Sequence, residues 1–109
     1  MPVSPIGSRP SAEDIRSQLD RILTSRVFVR SERMRRFLQF SVERSLLNDT
    51  GSVKEYDIAR TVYDKPESFD QRIDPIVRVE ASRLRAKLRE YYDVEGPTDP
   101  VVITIPRRA

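Results

Sequence analysis

Apolar positions recur at helical spacing in four stretches of the chain and at strand spacing in one. Ile15, Leu19, Ile22 and Leu23 fall at i, i+4, i+7 and i+8 and make a single stripe. Ahead of them, Ser11-x-x-Asp14 has the form of a capping box with Asp in place of Glu or Gln, so a first helix is expected from Ser11 to near Arg26. Val27-Phe28-Val29 follows as a short apolar link, read as extended. Ser31 is a good N-cap for a second helix of about 18 residues. Its apolar set, Met34, Phe37, Leu38, Phe40, Val42, Leu46 and Leu47, is too broad for one face and predicts a central helix buried on more than one side. Asn48-Asp49-Thr50-Gly51 ends it.

Ser52-x-x-Glu55 is a second capping box, and Tyr56, Ala59, Val62 and Tyr63 share a face with Ile58 beside them. A third helix is expected over about residues 53–63, joined to the second by a short turn as in a helix-turn-helix. Residues 64–75 read as a loop of net charge −2 pinned to the core by Phe69. Asp74 as N-cap and Pro75 at the first helical position open a fourth helix running to about Tyr92. At about 100° per residue, Val77, Ala81, Leu84, Leu88 and Tyr91 form its core face and Val79, Arg83, Ala86 and Glu90 lie opposite. Arg78, Ser82, Arg85 and Arg89 align on one flank. After the Gly96-Pro97 turn, Val101 to Ile105 is β-branched throughout and predicts a strand, which Pro106 ends. Residues 1–10, with three prolines, read as a disordered leader before a single domain over 11–109.

Composition removes most chemistry. With 109 residues there is room for one domain. There is no Cys and no His, which excludes disulfides, thiol or imidazole catalysis and Cys/His zinc sites. Three glycines form no phosphate-cradling loop. An enzyme, a cofactor, a metal and a small-molecule ligand are all unexpected. The carboxylates Asp64, Glu67, Asp70 and Asp74 fit no cation-loop spacing. No apolar run approaches the ~18 residues of a membrane span, so no membrane partner and a cytoplasmic, nucleoid-associated location are expected. Net charge is +3, and 17 of the 20 bases are Arg, whose planar fork suits phosphates and guanine edges. Six bases against three acids between residues 72 and 92 equal the whole net charge.

The run Val79-x-x-Ser82-Arg83-Leu84-Arg85-x-Lys87-Leu88, then a turn and VVITIP, resembles the recognition helix and wing of OmpR/PhoB-type effector domains of bacterial regulators. The likeness spans residues 34–106. It implies a mainly α fold with a short β element: a winged helix-turn-helix with an extra N-terminal helix and a truncated wing, Val27-Phe28-Val29 being one source of a second wing strand. No receiver domain accompanies it, so phosphorelay control does not carry over, and the Ser11–Arg26 helix replaces the family's N-terminal sheet.

The function implied is sequence-specific binding of double-stranded DNA by a small transcriptional regulator. The resemblance and the helical phase both assign base contact to Val79 and Arg83. Arg78, Ser82, Arg85 and Arg89 are expected at phosphates, together with Lys54 at the start of the third helix and Arg107 and Arg108 at the wing. One such module buries only roughly 600–1,000 Å² on DNA, so a homodimer or cooperative oligomer is expected. Ile15, Leu19, Ile22 and Leu23 are the candidate interface; packing on the domain's own core is the other reading of that stripe. Alternative functions are an architectural, excisionase-like DNA-bending factor and a protein-interaction module on the same scaffold.

Overall fold

The computed structural model describes residues 10–47 and 53–106, in which four helices enclose one apolar core: α1 (Ala12–Leu23), α2 (Glu32–Leu47), α3 (Glu55–Thr61) and α4 (Ile76–Val94). The leader before Pro10, the Asn48–Gly51 turn, the Ser52 cap and Arg107–Arg108 lie outside the described residues. The capping box opens α1 as its spacing requires. Ser11 Oγ accepts the Asp14 N–H at 3.0 Å, and the Asp14 carboxylate accepts the Ser11 N–H at 3.3 Å. The helix stops at Leu23, short of Arg26, because Thr24 and Ser25 hydroxyls bond back to the Asp20 and Ile22 carbonyls. The Ser25 carbonyl then accepts the N–H groups of Phe28 and Val29. Residues 27–29 are therefore a turn, not an extended link, and the turn drops Phe28 into the core.

Helix α2 packs against all three other helices, the central place its broad apolar set called for. Helix α3 is shorter than expected and starts at Glu55 with Lys54 as N-cap. Ahead of α4 the Asp74 carboxylate accepts the Ile76 N–H at 3.1 Å, with Pro75 one place earlier than its expected helical position. Phe69 packs on the core, its ring 6.3 Å from that of Tyr56.

Two expectations are corrected. The described residues contain no strand and no sheet, so the fold is all-helical and a winged helix with a β wing is overturned. Residues 101–104 do alternate buried and exposed, and Val101 C=O and Ile103 N–H both meet the Tyr92 hydroxyl, at 2.9 and 2.8 Å. That is extended backbone pinned to α4 by a side chain. A strand needs a neighbouring backbone, and the proposed neighbour, 27–29, is turned into the core. The second correction concerns the α1 stripe. Leu19, Ile22 and Leu23 are buried in the domain's own core and Ile15 packs half-buried against it, so this stripe is not a free face for a second copy.

Asp99 ties the C-terminal turn to the bundle. Its carboxylate accepts from Gln18 Nε2 at 2.8 Å, from Arg21 Nη1 at 3.2 Å and from the Tyr91 hydroxyl. The Tyr91 and Gln18 hydrogen bonds hold Asp99 below the usual carboxylate range. Burial, and then the bond to Asp99, pushes the Tyr91 phenol up to about 12. A carboxylate with a lowered folded-state pKa adds stability that is present above about pH 4 and lost as pH falls through the folded value. A phenol with a raised one adds stability that is present below about pH 10 and lost as pH rises toward its folded value. Urea midpoints should accordingly stay flat from about pH 5 to 9 and fall on both sides, and Asp99→Asn should shrink the acid arm. An acid arm of the same depth in Asp99→Asn would remove Asp99 from this role.

Candidate nucleic-acid interface

Helix α4 is seated by Val77, Leu84, Leu88 and Tyr91, all buried, with Ala81 half-buried beside them. The opposite face follows from the helical period. Val79 is 45% exposed, and Ser82, Arg83, Ala86, Arg89 and Glu90 are exposed. Val79 and Arg83 thus point away from the bundle. Glu90 and Asp93 lie beyond Ala86, which leaves the N-terminal two-thirds of the helix as its basic part.

The flank residues come together with a neighbour from another element. A groove of about 730 Å³ between α3 and α4 is bordered by Lys54, Arg78 and Arg85. Pro106, the residue before Arg107 and Arg108, also lines it. Arg89 continues the flank and makes no salt bridge among the described residues.

Several of these guanidiniums already have partners. Arg83 meets Glu80 at 2.9 Å, Arg78 meets Glu55 at 3.4 Å and the Gln71 carbonyl at 2.9 Å, and Arg85 reaches the Pro106 carbonyl at 3.5 Å. Pairs whose guanidinium stays exposed, as in Arg83 and Arg78, are worth about 1 kcal/mol or less, whereas a charge-assisted bond to phosphate or a bidentate pair with guanine is worth more. The pairs therefore orient the arginines without committing them. No family model matches the chain, and no curated protein or solved structure matches it.

The other side of α4 is joined by a basic group from α2, whose place beside α4 the sequence did not indicate. Arg33, at the start of α2, lies 5.5 Å from the Tyr63 ring centroid and borders the same hollow as Glu80, Arg83 and Lys87. Only the packing of α2 against α4 brings it there; no local pattern marks that place. Its neighbours serve the fold instead: Arg35 donates to the Leu23 carbonyl and Arg36 to that of Thr61. Lys87 is likewise structural, donating to the Val27 carbonyl at 2.9 Å.

Two of the four loop carboxylates are taken up by bases. Asp70 pairs with Arg72 and Asp74 with Lys65, each at 2.9 Å, and the Arg72 hydrogen bond lowers Asp70 to about 2. Among the described residues no three metal-ligating side chains converge, and no helix is long and apolar enough to cross a membrane.

Proposed function

We propose that this domain binds double-stranded DNA by laying α4 in the major groove, as a bacterial regulator of transcription associated with the nucleoid. Val79 meets a thymine methyl and Arg83 bridges guanine O6 and N7. Arg78, Ser82, Arg85 and Arg89, with Lys54 across the α3–α4 groove, hold phosphates on one side, and Arg33 faces the opposite backbone. The observation that carries this reading is the division of α4: one face is locked in the core and the other offers an outward Val79–Arg83 pair flanked by cations from α4 and from the N-cap of α3. Two copies, or several bound side by side, supply the contact area that one domain lacks, through a surface other than the α1 stripe.

The experiment is selection of bound sequences from a random duplex pool, followed by salt titration with the selected site. Arg83→Ala should weaken binding to that site by about 1–3 kcal/mol and relax preference at one base pair. Arg85→Ala should weaken binding to all sequences alike and flatten the log–log salt slope by about 1. If neither substitution changes binding, or the pool yields no enriched site and no salt-dependent binding, the reading fails.

A further inference from the structure

The extended run 101–106 has two backbone edges. The Tyr92 hydroxyl covers one of them through Val101 C=O and Ile103 N–H. Successive residues of an extended chain turn their N–H and C=O to opposite sides, so the amide groups of Val102 and Thr104 face away from Tyr92. Among the described residues they make no hydrogen bond. Along this segment runs a groove of about 600 Å³ whose far wall includes Ile15 of α1, Val42 and Leu46 of α2 and Ile58 of α3. None of the residues lining it is charged, in a chain where 34% are. Ser41 also lines the groove; it is 7% exposed, and its Oγ has no hydrogen-bond partner among the described residues.

We propose that this edge and groove receive an uncharged extended strand from a partner protein, which pairs its backbone with Val102 and Thr104. Its alternate apolar side chains lie against Ile15, Val42 and Leu46, and the Ser41 hydroxyl bonds to it. An unpaired strand edge is a template for another strand. A helix satisfies its own backbone and would cover Val102 and Thr104 without bonding them. The charge match is equally specific, because a charged side chain laid in this groove would lose its water and find no counter-ion. A second copy of this chain is a poor occupant. Its own Val101 and Ile103 are held in its core and cannot enter this groove as well.

The probe is the neutral peptide acetyl-Thr-Val-Thr-Val-Thr-amide, added to the isotopically labelled protein and followed by NMR. The expected result is shift changes centred on Ser41, Val102 and Thr104, with amide exchange at Val102 and Thr104 slowed at least tenfold. The same peptide N-methylated at every residue should produce neither. Val102→Pro removes the outward N–H from a residue that is 67% exposed and whose N–H makes no hydrogen bond among the described residues. It should keep the circular dichroism and melting temperature while losing at least tenfold in peptide affinity. Undiminished peptide binding by Val102→Pro, shifts confined to α4, or equal binding of the N-methylated peptide each overturns the proposal. So does a concentration-dependent dimer that Val102→Pro abolishes while the peptide has no effect, which would make a second copy the occupant. Should Val102→Pro not fold, the comparison of the two peptides on the unaltered protein decides alone. None of these outcomes depends on DNA binding.

Discussion

Leu84→Ala is expected to lower unfolding free energy by about 3–4 kcal/mol and the melting temperature by roughly 15 °C. Leu84 is fully buried at the centre of the α4 core face, between Arg83 and Arg85, which leave the core on either side of it. Truncation removes the apolar contacts of three carbons and leaves a cavity that the surrounding helices cannot close without moving α4. A domain of this length holds only about 5–15 kcal/mol of stability, so the loss is a large part of the whole. Leu84→Met conserves volume and should cost less than about 1.5 kcal/mol. The consequence for the proposed interface is specific. Below the new melting temperature the variant should keep its salt slope on DNA, because no cation is removed, while its transition moves to lower urea. A loss under 1 kcal/mol would show that α4 is not seated by this side chain.

Gly96→Ala is the second large effect, expected to cost about 3 kcal/mol by overpacking. Gly96 is buried after α4, and its N–H donates to the Tyr91 carbonyl at 2.9 Å. A Cβ built there would stand 2.5 Å from the Tyr91 ring and 2.6 Å from the Asp99 carboxylate. Neither neighbour can give way easily. Tyr91 is itself buried, and Asp99 is held by Gln18, Arg21 and Tyr91 together. The added methyl must break the link between α1, α4 and the C-terminal turn. Chemical denaturation measures the loss, and the pH profile supplies a second readout. With the Asp99 link broken, the acid and alkaline arms described above should both shrink in Gly96→Ala. Full stability in this variant would mean that the turn relaxes at no cost.

The four helices were legible because each rests on local terms. The Ser11–Asp14 box, the Asp74 carboxylate and the 3.6-residue period act within a few residues of themselves, and the same period assigns Val79 and Arg83 to the face away from the core. Arg78 and Arg85 were readable as cations on one flank of α4, but Lys54 was not readable as their neighbour. Arg33 was readable as part of a basic cluster at the start of α2, but not as a neighbour of Arg83, since that depends on how α2 meets α4.

Val101–Ile105 shows the limit most clearly. Alternation and β-branched side chains specify extended backbone, and the backbone is extended. Whether it becomes a strand depends on what stands beside it, and here that is the hydroxyl of Tyr92. The α1 stripe makes the same point for burial, because a helical period says that a face must be covered without saying by what. Helix positions and the outward turn of Arg83 came from interactions between residues three or four apart. The partners of the 101–105 edge, the α1 face and Asp99, and the pairing of Arg78 with Glu55, came from contacts between residues farther apart in the chain, which no local pattern encodes.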